Sequence, residues 1–129
     1  MPSHEQMVAA VQAYVAAFDA GDADAVRTLF AANAVVEDPV GTPPHVGIDA
    51  VHVFYAGAMA TGAKLKLEGP VRTTGDSAAF AFSVHLTLPD GPMRIDVIDI
   101  FRFDTAGKIV SMQAYFGPAN IQPGSAGHA

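Results

Sequence analysis

The sequence predicts an α+β fold in which three N-terminal helices pack on a curved, mainly antiparallel sheet. Apolar residues recur at helical spacing in the first half of the chain, and the second half consists of strand-like segments separated by short turns. Helices followed by a strand meander are typical of proteins whose helices cover one face of a sheet. A chain of 129 residues has the size of one domain, which we expect to span residues 1–121.

The first two helices should form a hairpin. Apolar residues place a buried stripe along a helix over residues 5–20, and Tyr14 lies on that stripe. Gly21 can end this helix, and Asp22 can cap a second helix over residues 23–31.

A strand and a third helix should follow. The alternating, valine-rich segment 34–38 predicts a strand that ends at Pro39, and the loop 41–47 leads into a helix over about residues 48–59. Four residues of this helix should face inward: Val51, Phe54, Tyr55 and Ala58.

The remaining strands should form an antiparallel meander. Segments 64–71, 78–88, 93–104 and 108–116 show strand patterns, and the turns between them are short enough for hairpins. Residues 122–129 are expected to form a disordered tail.

Composition excludes several functions. The net charge of −6 offers no attraction for nucleic acid or an anionic membrane surface, so neither is an expected partner. Without cysteine there can be no disulfide, thiolate zinc site or thiol nucleophile. The sequence carries no nucleotide-binding, zinc-protease or serine-hydrolase motif, and its five histidines lack metal-ligand spacing. We therefore expect no bound metal. Neither a signal peptide nor a membrane span is evident, so we expect a cytoplasmic protein.

Asp99 interrupts an apolar strand face. Every other residue on its face of segment 93–104 is apolar, whereas Arg94 and Arg102 share the opposite face with Asp96. Desolvation disfavours an unpaired charged carboxylate, so Asp99 should prefer its protonated form. The alternative is an ordinary buried aspartate that is bonded to a backbone amide.

Asp38 is a second carboxylate that should face inward. It shares a strand face with Ala34 and Val36, whereas Glu37 alternates away. Pro39 restricts Asp38 to an extended backbone and removes an N–H that could have paired locally. A solvent-facing Asp–Pro turn fits the same spacing equally well.

Tyr14 places a phenol on the buried face of the first helix, where its hydroxyl needs a hydrogen-bond partner. Taken alone, an ordinary core tyrosine bonded to a carbonyl explains it, and the same holds for Tyr55 and Tyr115. His85 lies on the polar face of its strand, which is typical of a surface or interface histidine.

Four segments together resemble the bacterial ketosteroid isomerases: YVAAFDAGDADAVRTLFA, VVEDPVG, AAFAFSV and DIFRFDTAGKIVSMQAYFG. The resemblance extends from about residue 5 to residue 121 with little need for gaps. It includes the inward Tyr14, the Asp38 of EDPVG and the Asp99 before IFRF. The wider family shares a cone-shaped, cystatin-like α+β roll with polyketide cyclases and nuclear transport factor-like domains, so the fold alone would not give a function.

The resemblance implies a reaction and a role for each polar residue. Asp38 would be the general base that moves a proton from C4 to C6 of a 3-oxo-Δ5-steroid, which gives the conjugated Δ4 ketone without a cofactor. Tyr14 and a protonated Asp99 would donate hydrogen bonds to the steroid oxygen as negative charge develops. In the ketosteroid isomerases an apolar environment keeps this second carboxylic acid neutral. Because two carboxylates in one oily pocket cannot both ionise cheaply, an ionised Asp38 and a neutral Asp99 are consistent with each other.

Apolar residues could form a sleeve around a flat, lipid-like ketone, and each of them could equally be plain core. Tyr55 resembles the family's supporting phenol behind the oxyanion tyrosine. Phe30 stands where some members carry another tyrosine, so the chain of phenols should stop at Tyr55. The candidates for the sleeve are Phe54, Phe82, Val84, Phe101, Met112 and Phe116.

The chain also carries an apolar surplus that a pocket or a partner should cover. Half of its residues are hydrophobic and its mean hydropathy is +0.28. Ile98 and Ile100 lie on the outer face of their strand, and the resemblance suggests a homodimer formed through this face of the sheet.

Other functions stay open at this stage. A polyketide cyclase-like enzyme would also use an inward aspartate but need not keep both Asp38 and Asp99. A non-catalytic domain that binds small hydrophobic molecules would keep the pocket and lose the acids. Epoxide hydrolysis would require an inward arginine flanked by carboxylates, whereas Arg72, Arg94 and Arg102 should all face solvent.

Overall fold

The computed structural model describes residues 1–123, in which helices cover one face of a sheet. The helices are α1 (His4–Ala20), α2 (Ala23–Arg27) and α3 (Ile48–Ala60). The strands are β1 (Phe30–Glu37), β2 (His45–Val46), β3 (Lys64–Leu67), β4 (Arg72–Thr74), β5 (Ser77–Leu88), β6 (Gly91–Phe103), β7 (Ile109–Tyr115) and β8 (Ile121–Pro123), and a short 3₁₀ helix, Pro118–Asn120, precedes β8.

Local sequence sets both ends of α1. The hydroxyl of Ser3 accepts a hydrogen bond from the backbone N–H of Gln6 (3.1 Å), and the Gln6 side chain accepts one from the backbone N–H of Ser3 (2.8 Å). At the other end Gly21 adopts a left-handed φ of 65°, which closes the helix. Asp22 then caps α2 by accepting the backbone N–H of Ala25 (3.1 Å), as the sequence predicted.

The second helix is shorter than predicted. Instead of spanning 23–31 it ends at Arg27, and β1 begins at Phe30. The carbonyl of Leu29 accepts a hydrogen bond from the backbone N–H of Ile109 (2.9 Å), and Phe30 pairs with the same residue. Pairing with β7 therefore overrides the helical spacing of Leu29 and Phe30.

The strands of residues 1–123 form one sheet in the order β2–β1–β7–β6–β5–β3, with β4 paired to β5 and β8 paired to β6. The named strands pair antiparallel, except that β1 and β7 run parallel. The predicted fold class is confirmed, because three helices lie on a curved sheet that is mainly antiparallel.

The predicted strand 64–71 is too long, and a strand that was not predicted follows it. Only its first part forms β3, and residues 72–74 form the separate strand β4. Gly69 adopts a φ of 100°, and Pro70 has no N–H to give to a ladder, so these two residues interrupt the pairing with β5 and separate β3 from β4.

The predicted tail also begins too early. Gln122 and Pro123 belong to β8, where Gln122 pairs with Arg94 of β6 and its side chain donates to Asp96 (2.8 Å). Backbone pairing and this side-chain bond hold the two residues in the sheet. Residues 124–129 lie outside the described part of the chain, so the rest of that prediction is not addressed.

The core lies between the helices and the inner face of the sheet. Along β6, Val97, Asp99, Phe101 and Phe103 are buried, whereas Ile98 is exposed, which confirms the alternation that singled out Asp99. From the helices, the buried residues are Met7, Val11, Tyr14, Ala17 and Phe18 of α1, Val26 of α2, and Val51, Tyr55 and Met59 of α3. Among residues 1–123 no helix has the length and apolar character needed to cross a membrane.

Candidate active site

A cavity of about 290 Å³ lies between α1, α3 and the inner face of the sheet. Its lining is mostly apolar, and the ionisable side chains that reach it are Tyr14, Asp38 and Asp99. The structure therefore brings together the three residues that the sequence singled out. An apolar cleft with a few convergent polar groups is the usual form of a small-molecule site.

A larger depression, of about 660 Å³, lies beside the outer face of the sheet. Its charged residues are paired with one another, because Arg94 contacts the carboxylates of Asp96 (2.9 Å) and Glu68 (3.6 Å). This depression is larger, but the smaller cavity contains the side chains whose pKa values are raised, Tyr14, Asp38 and Asp99. The smaller cavity is therefore the better candidate for an active site.

Asp99 is buried without a partner. It lies on β6 directly opposite Phe80, with 1% of its surface exposed. Among residues 1–123 neither of its carboxyl oxygens has a hydrogen-bond partner. Burial, and then the charge of Asp38, raise the pKa of Asp99 well above its ordinary value of 3.8. At neutral pH Asp99 is therefore a carboxylic acid with a proton to donate.

The arginines of the same strand do not neutralise Asp99. Arg94 pairs with Asp96, and Arg102 lies 4.0 Å from the carboxylate of Asp76. Both pairs lie on the outer face, as the alternation of β6 predicted. A buried acid without its own cation or hydrogen-bond partner is costly to fold, which suggests that a ligand supplies the missing partner.

Asp38 lies just beyond the last residue of β1, where its side chain reaches the cavity. Burial raises the pKa of Asp38 from 3.8 to about 6, so at neutral pH this carboxylate is ionised and more basic than an exposed one. Glu37 faces the other way and accepts a hydrogen bond from the Gln113 amide (3.2 Å). The prediction that Asp38 is the inward carboxylate is confirmed.

Tyr14 presents its hydroxyl to the cavity from α1 and shares a hydrogen bond of 3.0 Å with the Tyr55 hydroxyl. Burial is the main reason that the pKa of Tyr14 is raised well above 10, and the nearby Tyr55, Asp99 and Asp38 add to it. The phenol therefore stays neutral. Each of the two hydroxyls can rotate to donate or to accept, so Tyr55 can donate to Tyr14 while Tyr14 donates to a ligand.

Aromatic packing fixes the position of Tyr14. Its ring makes edge contacts with Phe101 (5.1 Å between centroids) and Tyr55 (5.6 Å), and it packs against Phe18 (5.4 Å). The ring of Phe30 lies 5.6 Å from that of Tyr55 and offers no hydroxyl. Among residues 1–123 the hydrogen-bonded phenols are thus Tyr14 and Tyr55, and the chain of phenols stops where the sequence predicted.

The apolar sleeve matches its prediction only in part. Four of the proposed residues line the cavity, namely Phe54, Phe82, Val84 and Phe116. Three others are packed in the core behind the cavity, with at most 1% of their surface exposed, and so do not line it: Tyr55, Phe101 and Met112. Tyr55 and Phe101 instead support Tyr14 from behind.

Several wall residues were not predicted, among them Phe18, Leu65, Leu86, Ile95 and Val97. Alternation could have found three of them, since Ile95 and Val97 share the face of Asp99 and Leu86 shares the face of Val84. Phe18 lies one helical turn after Tyr14, which also places it on the cavity side. Leu65 is a fourth residue that alternation could have found, because polar and apolar residues alternate along β3.

No cation site accompanies these residues. Among residues 1–123 there is no group of three or more His, Asp or Glu side chains placed to hold a metal ion. What the cavity does offer is a basic carboxylate, a neutral carboxylic acid and a neutral phenol, a set that can move a proton and stabilise a developing negative charge.

Comparison with known proteins assigns the fold to a family. The family model of the SnoaL-like domain matches residues 11–112. The chain belongs to the SnoaL-like domain family. A curated relative, "Steroid Delta-isomerase" of Nocardioides simplex, is 38% identical over 117 residues, which cover 90% of this chain and 94% of the relative.

One solved structure of similar fold belongs to an enzyme that is described with a different reaction. The epoxide hydrolase/cyclase-like enzyme SalBIII, described in pyran ring formation in the polyether salinomycin, superimposes with a TM-score of 0.86 at 27% identity, over 94% of this chain and 98% of SalBIII. Both similar proteins are enzymes, so the comparisons support an enzyme of this fold. Because one fold serves several reactions, the residues in the cavity must decide which reaction applies.

Proposed function

We propose that this protein isomerises 3-oxo-Δ5-steroids to 3-oxo-Δ4-steroids. One observation carries the proposal: an unpaired, fully buried Asp99 shares an apolar cavity with a more exposed Asp38 and with the Tyr14 phenol. The 38% identity to a protein named steroid Delta-isomerase supports the same reaction.

In this reaction Asp38 acts as the general base. Its carboxylate removes a proton from C4, between the ketone and the C5–C6 double bond, and the electron pair of that C–H bond shifts to give a dienolate. Asp38 then returns the proton to C6, and the carbonyl re-forms in conjugation with a C4–C5 double bond. A pKa of about 6 keeps Asp38 ionised at neutral pH and strengthens it as a base.

Tyr14 and Asp99 stabilise the dienolate. Both are neutral donors at neutral pH, and both line the cavity, so both could donate to a steroid oxygen that is bound there. A donor placed before the reaction in a water-poor cavity stabilises the charge without reorganising solvent. The transfer moves a single proton within one molecule, so it needs no cofactor.

Tyr55 is a positioning residue in this proposal. Its hydroxyl lies 3.0 Å from that of Tyr14, and its ring fixes the phenol edge-on. When Tyr14 donates to the steroid oxygen, Tyr55 donates to Tyr14 and so strengthens that bond.

The direct test is the ultraviolet absorbance of a 3-oxo-Δ5-steroid mixed with the protein, because conjugation in the product appears as new absorbance. We expect wild type to accelerate conjugation and Asp38→Asn to lower kcat by about 10² to 10⁴-fold. Glu37→Gln is the matched control, since it removes the neighbouring carboxylate that faces away from the cavity. No acceleration by folded wild type, or more than a third of the activity left in Asp38→Asn, would count against the proposal.

A cyclase-like or epoxide-opening enzyme is the second candidate, because SalBIII shares the fold at 27% identity. Epoxide opening through an arginine between carboxylates finds no support in the cavity, whose lining within residues 1–123 contains no arginine. Turnover of an epoxide or a polyketide ester by the purified protein, without isomerisation of the steroid ketone, would favour this second candidate.

We also propose that the protein is a homodimer through the outer face of the sheet. Ile98 and Tyr115, 49% and 47% exposed, are neighbours in the β6–β7 pairing and present apolar surface there. Sedimentation as a monomer at micromolar concentration would refute the dimer.

A further inference from the structure

A second depression, here named the distal depression, adjoins the cavity at one end. It has a volume of about 310 Å³, and its walls include Lys64, His85, Thr87 and Met93. Thr61 and Leu86 line both the cavity and the distal depression, so the two spaces adjoin.

The distal depression lies far from the acids. The inner face of β5 runs from Phe80, which pairs with Asp99, to Leu86, which pairs with Met93. Six residues of extended strand cover roughly 20 Å at about 3.3 Å per residue. A bare four-ring ketone with its oxygen at Asp99 does not reach that far, so a ligand that spans the whole length must carry a side chain at the end opposite its ketone.

The chemistry of the distal depression differs from that of the cavity. The Lys64 ammonium donates to the backbone carbonyl of Asp19 (2.6 Å), in the last turn of α1, where a cation interacts favourably with the helix dipole. The ammonium has further N–H donors that this bond does not use. His85 is oriented by its bond to Ser83 (2.8 Å), whose hydroxyl donates to Glu68 (2.7 Å).

The charge of the distal depression is unusual for this protein. The whole chain has a net charge of −6, yet within residues 1–123 no carboxylate is among the residues that line the distal depression. Lys64 gives it a positive charge instead.

We propose that the distal depression binds an anionic group, such as a carboxylate, at the end of the substrate's side chain. This inference rests on the proposed function, because the ketone end of the substrate defines which end is distal. It narrows the substrate class to steroid ketones with an acidic side chain. The apolar walls hold the rings, and Lys64 selects the charged tail.

The test compares two ketones that differ only at the tail: a 3-oxo-Δ5-steroid whose side chain ends in a carboxylate, and its methyl ester. Lys64→Gln should lower kcat/KM for the acid by about three- to tenfold, the scale of one partly exposed charged hydrogen bond, and leave the ester unchanged. Lys64→Arg should keep the preference for the acid. Lys66→Gln is the matched control, because Lys66 is exposed on the same strand outside the distal depression.

A binding measurement separates this inference from the proposed function. Equilibrium dialysis of the conjugated Δ4 acid and its ester needs no turnover, and it should show the same three- to tenfold loss of acid affinity in Lys64→Gln, with further loss on adding salt. If neither Δ5 ketone is isomerised, the proposed function fails while dialysis still decides the inference. Equal effects of Lys64→Gln on acid and ester, or no effect on either, would overturn it.

Discussion

Replacing Asp38 by asparagine should stabilise the protein while it removes most of the proposed activity. Asp38 is buried enough that its pKa rises from 3.8 to about 6. A difference of about two pKa units between the unfolded and folded states corresponds to about 3 kcal/mol. Because the folded pKa is the higher one, this free energy opposes folding whenever Asp38 is ionised in both states.

The sign of the effect sets its pH dependence. Below the unfolded pKa of 3.8 the carboxyl is protonated in both states, and Asp38 costs nothing. Between about pH 4 and about pH 6 the folded protein holds the proton more tightly than the unfolded chain, so stability falls as pH rises. Above about pH 6 Asp38 is ionised in both states, and the stability falls no further. Asp38→Asn should therefore match wild type near pH 4 and gain up to about 3 kcal/mol at neutral pH and above.

Urea unfolding of both proteins at several pH values measures this difference. Glu37→Gln again serves as the control, because its carboxylate faces away from the cavity and its removal should not reproduce the gain. An Asp38→Asn variant that is no more stable than wild type at neutral pH, or a gain in stability that does not change with pH, would show that the ionised Asp38 carboxylate does not oppose folding. Functional sites typically contain groups that lower the folding stability of the protein, and a charged group in a cavity is one example.

Further predictions concern the donors, the pH profile and the assembly. Tyr14→Phe and Asp99→Ala should each lower kcat by about 10² to 10³-fold, and the double variant should lose less than the product of the two, since both donors act on one oxygen. Asp99→Asn, which still donates, should keep more activity than Asp99→Ala; equal loss in both would contradict the donor role. kcat/KM should rise with pH to a plateau above about 6, as Asp38 ionises, and a flat profile would exclude Asp38 as the base. Ile98→Glu should convert the dimer to a monomer in sedimentation, and an unchanged dimer would exclude this face.

The sequence predicted those parts of the fold that depend on local spacing. Alternation along β6 identified Asp99 as a polar residue on a buried face, and Gly21 and Asp22 marked the boundary between α1 and α2. Both signals arise from short-range geometry, which one sequence carries in full.

Features set by tertiary pairing were missed. Phe30 has helical spacing with Val26, yet it pairs with Ile109 of β7, almost eighty residues later in the chain. Gln122 has a polar, tail-like neighbourhood, yet β8 pairs it with Arg94. Neither partner is evident without the assembled sheet.

The candidate site shows the same division. Alternation and helical spacing placed Tyr14, Asp38 and Asp99 on inward faces. These patterns do not distinguish residues that line the cavity from residues of the core behind it. Phe101 is inward like Asp99 and still lies outside the cavity, because the ring of Tyr14 covers it at 5.1 Å. Whether an inward side chain meets a cavity depends on how deeply its neighbours pack.

Titration of the two buried carboxyls by carbon-13 nuclear magnetic resonance shows whether the cavity holds one basic carboxylate and one neutral carboxylic acid, with Asp38→Asn and Asp99→Asn used to assign the signals. We expect the Asp38 carboxyl to titrate with a midpoint of about 6 and the Asp99 carboxyl to keep its protonated chemical shift through neutral pH. An Asp99 carboxyl that is already ionised at neutral pH, with a midpoint near 3.8, would contradict the account, because it would leave the cavity without its second donor.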